Sequence, residues 1–166
     1  GKPLITHVVA AARAIDAEQI CIVHGHGGDL VQAALSGRDL AYALQSPQRG
    51  TGHALQQALP KLTKAPLTLV LYGDVPLVHP ETLQDLLKAA GKGVAILTAD
   101  LDDPAGYGRI LRNKAGRVTG IVEQKDATAA QQRICEINSG IMVLPTARLA
   151  KWLSQIKNQN AQKEYY

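Results

Sequence analysis

Asp74 stands at the end of a short apolar run, Leu67-Thr68-Leu69-Val70-Leu71, in the segment Tyr72-Gly73-Asp74-Val75-Pro76-Leu77. The run reads as a buried strand, so the carboxylate falls on the rim of a sheet. In open α/β folds, ligands bind in the crevice at the carboxyl ends of the strands. A carboxylate there suits Mg²⁺, a hard cation bound through one or two carboxylates plus substrate phosphates. The competing reading is a turn whose Asp caps a helix over Pro80–Ala90, and the segment alone leaves the two balanced. A second segment, Gln45-Ser46-Pro47-Gln48-Arg49-Gly50-Thr51-Gly52-His53-Ala54, lies between a strand and a helix. Its glycines let a ligand approach the backbone, and a helix N-terminus favours anions. Gln45 carries donors and an acceptor, as reading a base edge requires. A loop ending in a capped helix explains the same residues.

Further along, Gly106-Tyr107-Gly108-Arg109-Ile110 brackets an aromatic residue with glycines, for a ligand-contacting loop or a tight turn into a strand. Glu123 ends a strand on a carboxylate and Asn138 begins one on an amide. Both could bond sugar hydroxyls or serve as turn residues. Gly25-His26-Gly27-Gly28 has the glycines of a phosphate loop without its Lys-Ser/Thr, and reads as a turn. The five histidines show no zinc spacing, and there is no nucleophile–base set.

These residues need a scaffold. Apolar positions Leu4, Val8, Ala11, Ala12 and Ile15 share a helical face. Strands are expected at Gln19–Val23, Leu40–Leu44, 67–72 and Val94–Leu101. Helices are expected from an Asp29 N-cap through Leu35, over His53–Leu59 and over Pro80–Ala90. This alternation predicts an α/β fold: a mostly parallel Rossmann-like sheet flanked by helices. The pattern then changes. Tyr107–Leu111 and Arg117–Glu123 flank the polar turn Asn113-Lys114-Ala115-Gly116, which predicts a β-hairpin insertion. A short helix at Thr128–Arg133, a strand at Asn138–Leu144 and a helix at Pro145–Ile156 follow.

The chain has 166 residues, enough for one domain or most of one, which would bury roughly 70% of its unfolded surface. The net charge of +4 is spread without a Lys/Arg run, which suits an anionic small substrate rather than DNA. Aromatics make up 4% with no Phe, too few for a stacking platform on single strands. No stretch is apolar enough to span a membrane. Cys21 and Cys135 imply neither a disulfide framework nor a metal site, which makes a reducing cytosol the expected location.

Taken together, the chain resembles the uridylyltransferase domains of the bacterial bifunctional N-acetylglucosamine-1-phosphate uridylyltransferase/glucosamine-1-phosphate acetyltransferase family. The resemblance runs through Gly1-Lys2-Pro3-Leu4, Val23–Gly28, Gln45 with Gly50-Thr51-Gly52-His53-Ala54, and Leu71–Leu77. It continues through Leu101–Pro104, Gly106–Ile110, Gly120–Ala127, Glu136–Ile141 and Asn160–Tyr166. It implies that Gln45, Gly50 and Thr51 contact uracil, that Tyr72 and Gly73 lie by the uridine and sugar, and that Asp74 holds Mg²⁺ as the catalytic ligand. It implies that Gly108, Glu123, Asn138 and Tyr166 contact N-acetylglucosamine.

The reaction implied is transfer of UMP from UTP to N-acetylglucosamine-1-phosphate, giving UDP-N-acetylglucosamine for cell-wall precursors. The family's opening strand and LAAGxGTRM loop, and an Asn that joins the Asp on Mg²⁺, have no counterpart in this sequence. The expectation is therefore an incomplete nucleotidyltransferase domain over 1–166, inactive alone. The parent would be an acetyltransferase too, and a homotrimer through its C-terminal domain. The alternatives are a nucleotidyltransferase for another sugar phosphate, or a non-catalytic nucleotide-sugar binding module.

Overall fold

In the computed structural model, which describes residues 1–35, 37, 39–62 and 65–166, helix α1 spans Leu4–Ala14 and buries Val8, Val9, Ala11 and Ala12. Strand β1 (Ile20–His24) follows, then α2 (Gly28–Ala34), β2 (Leu40–Leu44), α3 (Thr51–Ala58), β3 (Leu67–Val70), α4 (Pro80–Ala90) and β4 (Ala95–Asp100). The second half adds β5 (Arg109–Arg112), β6 (Val118–Val122), α5 (Ala129–Gln132), β7 (Glu136–Pro145) and α6 (Thr146–Leu153). A 3₁₀ turn at Leu59–Lys61 closes α3. No helix among the described residues is long and apolar enough to cross a membrane.

The α/β organisation and the hairpin are as expected. Asn113 Oδ1 builds the hairpin turn, accepting from the Ala115 and Arg117 amides at 3.0 Å each. The expectation of a mostly parallel sheet needs correction. Among the described residues only β1 and β2 pair in parallel, Ile20 opposite Leu40 through His24 opposite Leu44. In the five-stranded sheet, β7 runs antiparallel to β3, β4 and β5, and β5 runs antiparallel to β6. Strands β3 and β4, both opposed to β7, share a direction, as a strand–helix–strand unit requires. What the periodicity hides is that β7, from much later in the chain, lies between them.

Boundaries shift for physical reasons. Pairing of β3 stops at Val70 opposite Met142, short of the expected residue 72. Just beyond, Gly140 takes a φ of 81°, and the first part of β7 pairs with β4 and β5 instead. Helix α2 is entered through Gly27, left-handed at a φ of 75°, so Asp29 sits in the first turn and is not the N-cap. Helix α3 starts at Thr51, two residues before the expected His53.

One core cluster joins α1 and α4 to the sheet through Ala11, Leu83, Leu86, Ala90, Ile141 and Val143. A smaller one under β1 holds Val9, Ile22 and Leu35. Strand β1 pairs on one edge with β2, and β3 on one edge with β7. Their other edges face a cavity of about 580 Å³ lined by both strands, by Ile5, Val8 and Ala12 of α1 and by Ala54 and Ala58 of α3. Cys21, in β1, lines it too, and burial pushes its thiol up from the ordinary value.

Candidate functional site

The turn after β3 is closed by the Val75 amide on the Tyr72 carbonyl, at 3.2 Å. Asp74 is exposed there. The N-cap of α4 is His79, with Pro80 and Glu81 opening the helix. Asp74 therefore does not cap α4, and the turn-cap reading falls. Its carboxylate makes no hydrogen bond or ion pair among the described residues. Gly73 lies against α1: a Cβ there would meet Ile5 Cδ1 at 2.8 Å.

Tyr72 is where the segments meet. A Cβ on Gly140 would stand 2.5 Å from the Tyr72 ring, so the left-handed glycine of β7 makes the seat for the phenol. Burial pushes the phenol above its ordinary value. A hydrogen bond with Thr51 opposes this, and the Glu123 and Asp74 carboxylates add to it. The phenol thus pairs with the helix that follows the Gln45 loop and lies in the field of carboxylates that follow two strands.

In the loop itself, buried Gln45 donates from Nε2 to the Gly50 carbonyl at 2.9 Å, and the same atom lies 3.1 Å from His53 Nδ1. The side of each glycine where a side chain would stand is taken by the C-terminal tail. A Cβ on Gly50, at a φ of 98°, would stand 2.6 Å from the Tyr165 carbonyl, and one on Gly52 3.0 Å from it. The C-terminal tail fills that space. Tyr165 accepts from the Gly52 amide at 2.8 Å and donates to the Arg49 carbonyl at 2.9 Å.

The same tail reaches the second half of the chain. The Ala161 amide donates to Asp126 Oδ1 at 3.1 Å. The Tyr166 phenol is pushed up to about 12, by burial first and then by Glu164, Glu123 and Asp126. Glu123 lies against Gly108, whose added Cβ would be 3.0 Å from Glu123 Oε1. Burial, with Asp126 adding, raises the Glu123 carboxyl above its ordinary value, so a hydroxyl donated to it would relieve an unfavourable charge. Asn138 donates its amide to the Gly108 carbonyl at 2.8 Å. Its Oδ1 accepts from the Gly140 amide at 3.0 Å, which leaves Nδ2 to meet a ligand.

Sequence reasoning gave no role to Arg109, only 1% exposed. It donates to the Tyr107 carbonyl, to Gln124 Oε1 at 2.7 Å and to the Gln132 carbonyl at 3.3 Å. One guanidinium so ties the Gly-Tyr-Gly loop to the chain after Glu123 and to the end of α5. Its place in an apolar strand, beside the quoted glycines, was the available signal. Among the described residues no three His, Cys, Asp or Glu cluster as a metal site. The Gly25–Gly28 turn packs on Gln48 and His24, as a turn does.

An α/β layer with an antiparallel hub strand and loops gathered at one rim is the fold of nucleotidyltransferases. A UDP-glucose pyrophosphorylase solved with UDP-glucose superposes with a TM-score of 0.77 at 17% identity, covering 97% of this chain and 70% of that one. HddC from Yersinia pseudotuberculosis gives 0.68 at 19% identity, over 91% and 66%. The chain belongs to the MobA-like NTP transferase domain family, whose model matches residues 1–137. It is 58% identical to the bifunctional protein GlmU of Azoarcus sp. (strain BH72) and 56% identical to that of Aromatoleum aromaticum, in each case over its whole length. It spans 37% of the length of these relatives. The family resemblance read from the motifs is thereby borne out.

Proposed function

We propose that this chain is part of a sugar-phosphate uridylyltransferase domain that joins UTP and N-acetylglucosamine-1-phosphate to give UDP-N-acetylglucosamine and pyrophosphate. The observation that carries the reading is the Tyr72 junction, where the ring is seated on Gly140 of β7, its phenol pairs with Thr51 of α3, and the Glu123 and Asp74 charges are felt. The substrate pair comes from the motif resemblance, and the relatives support membership of the same family. The same resemblance carries an acetyltransferase and a homotrimer for the rest of a longer polypeptide, working in the cytoplasm on cell-wall precursors.

In this reading a phosphate oxygen of the sugar phosphate attacks the α-phosphorus of UTP, a new P–O bond forms, and pyrophosphate leaves with the electrons of the broken one. The nucleophile is already anionic near neutral pH, so no side-chain base is needed. Gln45, Gly50 and Thr51 orient the base, with Tyr72 and Gly73 beside the uridine. Gly108, Glu123, Asn138 and Tyr166 hold the sugar. Fixing both partners in line supplies most of the acceleration. Asp74 fits Mg²⁺: an exposed carboxylate with no partner among the described residues matches a cation that takes one protein oxygen plus phosphates. Bound there, Mg²⁺ would neutralise phosphate charge.

The chain is proposed to be an incomplete domain. The open edges of β1 and β3 and the apolar cavity between them fit one further strand, which would unite the two sheets. This chain alone is expected to release no measurable pyrophosphate from the substrate pair, whereas the full-length protein does. Turnover by the isolated chain near the full-length rate would overturn that division. Failure of the full-length protein on this pair, with turnover of another nucleotide and sugar phosphate, would favour the second enzyme reading. Binding without turnover would favour a binding module.

Glu123→Ala and Asn138→Ala are each expected to raise KM for the sugar phosphate, leaving KM for UTP near its wild-type value. A lost hydrogen bond of about 0.5–1.5 kcal/mol corresponds to roughly 2- to 10-fold, with the charged Glu123 at the upper end. Steady-state kinetics with each substrate varied in turn checks this. A mutant that impaired UTP and spared the sugar phosphate would move that residue to the nucleotide half.

A further inference from the structure

We infer that His53 is a positioning residue that fixes which end of the Gln45 amide meets a nucleobase, so that the site selects bases with a ring N–H on their pairing edge. The inference rests on the base-reading role proposed for Gln45 and goes beyond it.

Gln45 is 8% exposed, and the two hydrogen bonds of its side chain both involve Nε2. The Gly50 carbonyl can only accept, so Nε2 must face it, and the amide cannot be turned end for end. The second N–H then points at His53 Nδ1, 3.1 Å away, which must be a lone pair. A neutral ring with an accepting Nδ1 carries its proton on Nε2. Gln57, one helical turn on, has its amide nitrogen 3.2 Å from that Nε2. The same nitrogen donates to the His53 carbonyl at 3.3 Å, so this amide is not turned and Gln57 offers the ring proton no acceptor. The ring is backed by Tyr165, 6.4 Å between centroids.

Both Gln45 donors are thus committed inside the protein. What remains is Oε1, which takes no hydrogen bond among the described residues, on a residue that borders a cleft of about 320 Å³ with Gly25, His26 and Gln48. The sequence had left both ends of the amide available; the structure leaves the acceptor. An acceptor pairs with the N3–H of uracil. It faces the N3 lone pair of cytosine with repulsion and a desolvated, unpaired oxygen.

Replacing His53 by Leu removes the acceptor that holds the second N–H, and the amide is free to offer a donor to cytosine. In the full-length protein, the ratio of kcat/KM for UTP to that for CTP is expected to fall about tenfold in His53→Leu. In His53→Asn, whose Oδ1 can replace Nδ1 as acceptor, most of the ratio should return. Gln45→Leu should collapse the ratio too. A merely structural role for His53 would depress both nucleotides alike and leave the ratio unchanged. That result, with the ratio still lost in Gln45→Leu, overturns the inference and spares the base-reading role. A ratio unmoved by Gln45→Leu overturns the base reading and the inference with it. If His53→Leu does not accumulate as folded protein, His53→Ala is read in the same way.

Discussion

Asp74→Asn in the full-length protein is expected to lower kcat by roughly 100- to 1000-fold, the loss of about 3–4 kcal/mol of transition-state stabilisation. The substitution keeps size and polarity and removes only charge and one strong metal-ligating oxygen. Because Asp74 is exposed, caps no helix and pairs with no residue among those described, folding should not register the change. Surface changes of that kind stay within about 0.5 kcal/mol. The two readouts therefore separate. Pyrophosphate release over a Mg²⁺ titration should show the loss, while the melting temperature stays at the wild-type value. Sugar-phosphate affinity should change far less than kcat. Turnover near wild type with unaltered Mg²⁺ dependence would remove Asp74 from the site.

Arg109→Ala should act in the opposite way, on the scaffold first. The side chain is nearly inaccessible and supplies donors to three acceptors in three segments, at Tyr107, Gln124 and Gln132. None of them is a carboxylate, and the guanidinium Nε is itself buried without a partner. The arginine is thus a buried cation tolerated because its N–H groups satisfy backbone and amide oxygens. Truncation leaves those oxygens unsatisfied at about 1–3 kcal/mol each, and some will find water. A net loss of about 3 kcal/mol is expected in urea denaturation. Arg109→Lys should recover only part of it, since an ammonium cannot span the same fork. A loss under about 1 kcal/mol would mean that the three segments hold together without the clamp.

The sequence announced the frame better than its joints. Amphipathic spacing placed α1 and α4, and Asn113-Lys114-Ala115-Gly116 placed the hairpin, since both depend on neighbours in the chain. Strand adjacency does not. Nothing in Leu67–Val70 or Ala95–Asp100 says that Glu136–Pro145 will lie between them. The same limit hid the tail, which packs where side chains at Gly50 and Gly52 would stand. Asp74 and Glu123 stood out because they follow apolar runs, and both do follow strands, β3 and β6. His53 and Arg109 escaped because their roles are set by partners brought close through folding.

The gap between β1 and β3 has a geometric meaning apart from completeness. It separates the sheet that carries Gln45 from the sheet that carries Asp74 and, through β6, Glu123. On the proposed reading, a segment seated there would act as a spacer gauge between the base-reading loop and the Asp74 turn. An oversized side chain in that spacer would spread the two sheets and carry the α-phosphate out of line. Its signature would be a nucleotide still chosen correctly and held firmly, yet presented at the wrong distance.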